Sequence, residues 1–317
     1  MTKPSVNTTF DASLVDLHPN ASFSTTESDP SDAGMSSTTR QFPTSAPTLT
    51  AQDQSQTTPA KSPKSIQHIG TQDAYDQWAS VYDTDGNMLQ SIDDDELNTL
   101  LPSLLDQTAS SPDTCISVLD LGCGTGRNTA RLITHTWPAS KRISVTGLDF
   151  SEGMLSLART KLTSLIPAQS VSLRLDQCNP FPTSGALFNP EKLDIPPQDL
   201  VLSTLVLEHI PLPTFMATLS SLLAPSGGTA LVTNMHADMG AMSQAGFVNA
   251  AGVKVRGESY VYTLAQTVQA AQDVGLEVVA ARERKVEEED IEKGVVGERG
   301  RKWKGVKVWF GVVVRKA

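Results

Sequence analysis

Hydrophobic residues from position 71 onward recur at spacings that predict two helices followed by alternating strands and helices. The predicted strands span residues 116–121, 143–148, 171–175, 200–203, 228–233, 278–286 and 306–314. The predicted helices between them span residues 127–135, 152–162 behind a Ser151 cap, 215–223, and 264–274 closed by Gly275. Strands separated by helices of about 10–15 residues predict βαβ units and a parallel sheet, so the fold class is α/β.

Two segments interrupt this alternation. Residues 177–198 contain five prolines and show no periodicity. Residues 235–262 contain four glycines and are predicted to form one long loop. Irregular segments of this length inside a compact domain are usually functional or mobile, so both are expected to be one or the other.

The first 65 residues differ from the rest of the chain. They contain 24 Ser and Thr residues and 7 prolines, with no periodic apolar stripe. Such a composition cannot bury enough apolar surface to offset chain entropy, so residues 1–65 are predicted to form a disordered tail. Residues 66–317 are then expected to form one folded domain.

Composition narrows the classes of partner. The chain has 25 Lys and Arg against 35 Asp and Glu, a net charge of −10, which disfavours nucleic acid as a partner. No apolar run reaches the roughly 18 residues of a membrane span. The three cysteines form no CxxC pair and no His, Asp or Glu cluster has metal-ligand spacing, so no metal is expected. We expect a protein of a reducing compartment, namely the cytoplasm, with the nucleus as the alternative. The sequence does not predict an oligomeric state.

A glycine-rich turn follows the first predicted strand, where an α/β sheet usually binds ligands. Glycines let the backbone approach a ligand closely, and the helix that follows offers free N–H groups. Arg127 occupies the place where a dinucleotide fold needs a small residue, which disfavours a nicotinamide dehydrogenase. Asp120, just before the turn, suits a ligand with a cationic amine. The turn itself consists of Gly122, Cys123, Gly124, Thr125 and Gly126.

Acidic residues also end the next two predicted strands. Asp149 ends the second strand, where a carboxylate can accept both hydrogen bonds of a ribose diol, and Phe150 beside it can cover an adenine. Asp176 ends the third strand and can accept a hydrogen bond from an adenine amino group. Helix capping by Asp149 and a plain surface position for Asp176 are the alternative interpretations.

The order of these motifs resembles that of the class I S-adenosylmethionine-dependent methyltransferases. The segments that carry the resemblance are VLDLGCGTGRNT, GLDFSEGMLSLAR, DLVLSTLVLEHI and LLAPSGGTALVT. The opening segment AYDQWASVYD is similar to the entry helix of the ubiquinone-biosynthesis-type small-molecule enzymes. The resemblance implies a Rossmann-like sheet of seven mostly parallel strands, with the last strand antiparallel and helices on both faces.

The resemblance also implies S-adenosylmethionine as the cofactor and assigns residues to it. The glycine turn would wrap its methionine part and Asp120 would organise its amine. Asp149 would hold the ribose. The remaining residues that the resemblance places around the cofactor are Tyr82, Phe150, Met154, Asp176, Gln177, Thr204 and Leu205.

Two histidines follow strands and are the candidates for catalysis. His209 follows the fourth predicted strand, and His236 follows the fifth and opens the long loop. We expect His236 to act as an acceptor-side base, with a loop anchor as its alternative, whereas backbone hydrogen bonding is the alternative for His209. Tyr260 and Tyr262 either shape the pocket or pack at the start of the following helix.

The leading functional hypothesis is a methyltransferase that acts on a small, aromatic or apolar metabolite. A protein or RNA methyltransferase is an alternative within the same class. A catalytically silent module that binds S-adenosylmethionine is an alternative from a different class. Whether oxygen, nitrogen or carbon receives the methyl group does not follow from the motifs.

Overall fold

The computed structural model describes Thr26–Glu27 and residues 66–317, except 85, 166–169, 182–187, 245 and 250. The predicted tail over residues 1–65 therefore lies outside the described residues, apart from its two-residue strand. That strand pairs antiparallel with Ser243–Gln244. No helix in the described part of the chain combines the length and the hydropathy of a membrane span.

A seven-stranded sheet forms the centre of the molecule. Its strands are β1 (Cys115–Leu121), β2 (Arg142–Asp149), β3 (Val171–Gln177), β4 (Leu200–Thr204), β5 (Thr229–Met235), β6 (Leu276–Lys285) and β7 (Lys307–Lys316). They lie in the order β3-β2-β1-β4-β5-β7-β6. The first five strands run parallel, and β7 runs antiparallel to both of its neighbours, β5 and β6. This confirms the predicted mixed sheet with an inserted last strand.

The helices follow the predicted periodicity, with boundaries set by local capping. Ser151 accepts a hydrogen bond from the Met154 amide, as its cap position predicted. The helices are α1 (Thr71–Trp78), α2 (Met88–Ala109), α3 (Arg127–Thr134), α4 (Glu152–Leu162), α5 (Leu212–Leu222), α6 (Ala237–Gly240), α7 (Leu264–Asp273) and α8 (Glu288–Glu292). Single 3₁₀ turns occupy Ala79–Val81, Pro190–Leu193, Leu207–His209 and Glu298–Trp303.

Both faces of the sheet are covered by helices. Along β4, Val201 packs into one core cluster with Phe215 of α5, whereas Leu200 and Leu202 pack into the other with Leu132 of α3. This alternation is the period of two that a pleated strand imposes on its side chains. The sheet is therefore buried on both sides, as the resemblance implied.

The segment after β5 is not the single long loop that was predicted. It contains α6 and three short strands, Ser243–Gln244, Phe247–Val248 and Lys254–Arg256. Lys254–Arg256 pairs with Phe247–Val248 and with Ile66–His68. Strands of two or three residues are too short to produce a readable period, which explains the difference.

Candidate functional site

A cleft of about 650 Å³ opens at the carboxyl ends of β1, β2 and β4. α1 and the segment around residues 258–260 form its outer wall. Seven of the residues expected at the cofactor line it together with His209, namely Tyr82, Gly122, Gly124, Asp149, Phe150, Thr204 and Leu205. The sheet edge that the topology favours for ligands is thus the edge that carries the cleft.

The glycine turn has positive φ angles, which residues other than glycine adopt only with strain. Gly122 has φ +78°, and a Cβ there would collide with Val206. Gly124 has φ +53°, lies at the cleft, and has no atom within 4 Å of the position that a Cβ would take. The turn therefore presents bare backbone to the cleft, as the motif predicted.

Asp149 is the buried carboxylate at the cleft. Its Oδ2 accepts a hydrogen bond from the Gly124 amide at 2.8 Å, and its Oδ1 accepts one from the Ser151 amide at 2.9 Å. Burial raises its pKa to about 6, against these hydrogen bonds, which lower it. Because each carboxylate oxygen can accept two hydrogen bonds, both oxygens keep capacity for a ligand.

Asp120 lies behind the glycine turn and does not line the cleft. It is 1% exposed and accepts a 2.6 Å hydrogen bond from the Thr129 hydroxyl of α3. Burial raises its pKa to about 6, although the Thr129 hydrogen bond and Arg127 both lower it. The backbone of the glycine turn therefore lies between this carboxylate and the cleft.

The other turn residues face inward or toward neighbouring elements. Cys123 and Met154 are buried in the interior, and Gly126 precedes α3 as its N-cap. The Thr125 hydroxyl donates to Asp83 at 2.6 Å, which ties the turn to the segment after α1. The structure therefore does not place these residues at the cleft wall.

The third strand ends beside the cleft rather than in it. Asp176 forms an ion pair with Arg174 at 2.6 Å. The Gln177 side chain donates to the Phe150 carbonyl at 3.1 Å and so supports that residue from behind. Neither residue lines the cleft, whereas both were expected to lie at the cofactor.

His209 lies at the cleft with both ring nitrogens engaged. Its Nε2 lies 2.8 Å from the Tyr75 hydroxyl, and its Nδ1 lies 2.8 Å from the Glu258 carbonyl oxygen. Burial raises the pKa of Tyr75 well above its usual range, with smaller contributions from Tyr82, Glu208 and Asp149. The phenol therefore stays protonated at the pH of a cell.

His236 lies away from the cleft, contrary to the expectation that it faces the acceptor. Its Nδ1 accepts a hydrogen bond from the Asp238 amide, which caps α6, and its Nε2 lies 2.8 Å from Glu283. The imidazole is 5% exposed. These contacts make His236 an anchor for the segment that follows β5.

Sequence reasoning missed several residues of the cleft. Tyr75 belongs to the entry-helix motif, but only its neighbour Tyr82 was assigned to the site. The segment 178–181 and Glu258 come from the two irregular stretches, which gave no periodic signal. Tyr260 lines the cleft, whereas Tyr262 donates to the Ile210 carbonyl beside it.

The formally charged side chains that line the described part of the cleft are all acidic. Asp73, Asp149 and Glu258 line it, and none of its lining residues among those described is Lys or Arg. Within the described residues, no three His, Cys, Asp or Glu side chains converge as metal ligands. The cleft therefore favours ligands that carry positive charge or none.

Comparison with known proteins adds to this geometry. Residues 119–229 match a family model described as a methyltransferase domain. The chain is 40% identical over 270 residues to an uncharacterized methyltransferase of Emericella nidulans, covering 78% of this chain and 91% of that protein.

Two solved structures also align with the chain. Magnesium protoporphyrin IX methyltransferase from Synechocystis, with bound SAH, aligns at 17% identity over 77% of this chain and 94% of its own, with TM-score 0.47. An S-adenosylmethionine-dependent methyltransferase from Clostridium acetobutylicum aligns at 14% identity over 68% and 88%, also with TM-score 0.47.

Proposed function

The chain belongs to the class I S-adenosylmethionine-dependent methyltransferases, and we propose that it transfers the methyl group to a small molecule bound beside His209. The observation that carries this proposal is the shared cleft. The glycine turn and Asp149 lie in the same cavity as Tyr75 and His209. A cavity of about 650 Å³ is within the range that small-molecule ligands occupy.

The residues of the cleft fit S-adenosylmethionine. A cofactor with a sulfonium and an amine suits a wall with three carboxylates and, among its described residues, no Lys or Arg. Bare backbone at Gly124 admits close approach, and Asp149 keeps acceptor capacity for a ribose diol. We assign cofactor binding to Tyr82, Gly122, Gly124, Asp149, Phe150, Thr204 and Leu205.

When bound, the cofactor supplies an electrophilic methyl group on a sulfonium sulfur. The chain contributes position, exclusion of water and control of protons. Tyr75, Phe150 and Tyr82 lie close together, with ring centroids of Tyr75 and Phe150 6.1 Å apart and those of Tyr75 and Tyr82 6.0 Å apart. Because Tyr82 and Phe150 are assigned to the cofactor, Tyr75 is the ring of this group that is left to contact an acceptor. It favours an apolar acceptor and would help to position it for in-line transfer.

Cofactor binding is tested by changing Asp149 to Ala. Each charge-assisted hydrogen bond to a ligand contributes about 1.5–3 kcal/mol, so the affinity for S-adenosylmethionine should fall roughly 10-fold to 100-fold or more. Asp176→Ala is the matched control, because this carboxylate also ends a strand but pairs with Arg174 outside the cleft. Calorimetry that finds equal affinities for both variants and the native chain would overturn the assignment.

The acceptor class is tested by turnover. The native chain is incubated with S-adenosylmethionine and pooled small metabolites, and S-adenosylhomocysteine release is measured. Release with metabolites supports the proposal. Release only with a protein or RNA fraction would move the activity to a macromolecular acceptor, and cofactor binding without any turnover would indicate a silent binding module.

A further inference from the structure

Tyr75 and His209 form a directed hydrogen-bond pair at the cleft. The backbone oxygen of Glu258 can only accept, so the His209 Nδ1 that lies 2.8 Å away must carry a proton. In the neutral ring, Nε2 is then an acceptor, and the Tyr75 hydroxyl 2.8 Å away donates to it. The hydrogen bond therefore runs from the Tyr75 hydroxyl, as donor, to the His209 imidazole, as acceptor.

The surroundings of the pair hold it in this arrangement. The Tyr75 and His209 rings meet edge to face, with centroids 5.3 Å apart and an interplanar angle of 84°. The phenol resists ionisation because burial raises its pKa well above the usual range. Tyr75 alone is thus no base, and it can take up a proton only as it gives its own to His209.

We propose that Tyr75 contacts the reacting hydroxyl of the acceptor and relays its proton to His209, so that the acceptor is an uncharged compound with a weakly acidic hydroxyl group. In this step the acceptor O–H bond breaks and its proton joins the Tyr75 oxygen. The proton that Tyr75 held joins His209 Nε2. The electron pair of the broken bond stays on the acceptor oxygen, which would use it to bind the methyl carbon as the bond from that carbon to the cofactor's sulfur breaks and its electron pair goes to sulfur. The relay rests on the proposed methyltransferase function.

Nearby charge supports the relay. The Glu208 Oε1 lies 3.8 Å from His209 Nε2, and its Oε2 is buried without a hydrogen-bond partner. Burial raises the pKa of Glu208 and the neighbouring His209 lowers it, so the ionised carboxylate and the imidazolium that the relay forms stabilise each other. Because the lining carries carboxylates and, in its described part, no basic side chain, an acceptor with its own carboxylate or phosphate would be repelled.

The relay is tested with Tyr75→Phe and His209→Gln, once an uncharged hydroxylated acceptor is identified in the turnover assay. Each variant should lower kcat by about 10²- to 10⁴-fold, the usual contribution of general acid–base catalysis. Affinity for S-adenosylmethionine should stay within about twofold. The matched control is Tyr262→Phe, which removes a nearby phenol whose hydroxyl bonds the backbone of Ile210 and Leu212, and this variant should keep full turnover.

Two comparisons separate proton relay from a structural role of Tyr75. 4-Nitrophenol has a pKa near 7, so at about pH 8.5 it is largely ionised, whereas unsubstituted phenol is not. It then has little need of the relay, and Tyr75→Phe should slow its methylation much less than that of phenol at this pH. An equal loss with both phenols would overturn the relay. Turnover of 4-hydroxybenzoate as fast as that of phenol would overturn the assignment of an uncharged acceptor.

An NMR measurement that needs no turnover distinguishes failure of the relay from failure of the proposed methyltransferase function. With all five histidines ¹⁵N-labelled, the His209 resonances are identified by their loss in His209→Gln. The relay requires a protonated Nδ1 and an Nε2 whose resonance shifts in Tyr75→Phe. The opposite tautomer overturns the relay even if methyl transfer is found. An absence of any methyl transfer, with cofactor binding retained, overturns the proposed function instead.

Discussion

At the scale of single residues, two histidines that follow neighbouring strands have different surroundings. His209 and His236 both come after carboxyl ends of parallel strands, so the sequence placed both at the active edge. Only His209 lines the cleft, because the Leu207–His209 turn directs it toward Tyr75. His236 is held by the Asp238 amide and by Glu283 of β6.

Changing His236 to Ala should reduce stability and leave chemistry almost intact. The variant loses the cap of α6 and the contact with Glu283, which together should lower the free energy of unfolding by roughly 1–2 kcal/mol. Urea unfolding and turnover at saturating substrates check this expectation. If turnover instead falls by about two orders of magnitude while the fold stays intact, the result would support the original hypothesis that His236 is an acceptor-side base.

The sequence predicted the placement of residues that the backbone fixes at the cleft, and it misplaced residues whose position depends on the direction of the side chain. Gly122, Gly124 and Asp149 lie at the cleft because a strand end and a turn fix them there. The ring of His236 and the carboxylate of Asp176 point to neighbours that only the folded chain supplies. Strand position therefore predicts the edge at which a residue lies but not what its side chain contacts.

At the scale of elements, α2 is fastened to the sheet in part by the buried carboxylate of Asp93. Asp93 is fully buried and accepts hydrogen bonds from Thr233 of β5 at 2.6 Å and Trp309 of β7 at 2.9 Å. Its other oxygen pairs with Arg127 at 2.6 Å, at the first position of α3. Arg127, which disfavoured a dinucleotide site, thus turns away from the cleft and joins the glycine turn to α2.

Changing Asp93 to Ala should be strongly destabilising. It leaves the guanidinium of Arg127 without its buried partner, and breaking a buried ion pair in this way typically costs about 3–5 kcal/mol. The neighbouring Asp94→Ala is the control, because Asp94 is 35% exposed and its pairs with Arg127 and Arg131 should contribute under about 1 kcal/mol. Similar denaturation midpoints for the two variants would contradict the role given to Asp93.

Element prediction succeeded where the apolar pattern was long enough to read. All seven strands of the sheet were found, since each carries several apolar residues in a run or in alternation. The strands Phe247–Val248 and Lys254–Arg256 were missed, although they support the outer wall by packing Phe247 on Trp78. Elements this short are stabilised by their neighbours and leave no pattern of their own.

At the scale of the whole molecule, the fold keeps two carboxylates buried around the glycine turn. Asp120 and Asp149 each have a pKa raised from 3.8 to about 6, with burial as the largest cause. Between these values the folded chain binds more protons than the unfolded chain. The stability that these groups contribute is therefore lost as the pH rises from about 4 to above 6.

Cofactor binding should reverse this dependence. A ligand whose ribose hydroxyls donate to Asp149 binds the ionised form of this carboxylate, so its affinity should rise with pH up to about 6 and then level off. Below that value, the Kd for S-adenosylhomocysteine should increase about tenfold per pH unit. Calorimetric titrations between about pH 5 and 8 measure this slope.

In Asp149→Asn, affinity should be lower at neutral pH and the slope shallower, because this titrating group is gone. A Kd that stays constant across the range in the native chain would show that Asp149 does not have to ionise for the cofactor to bind.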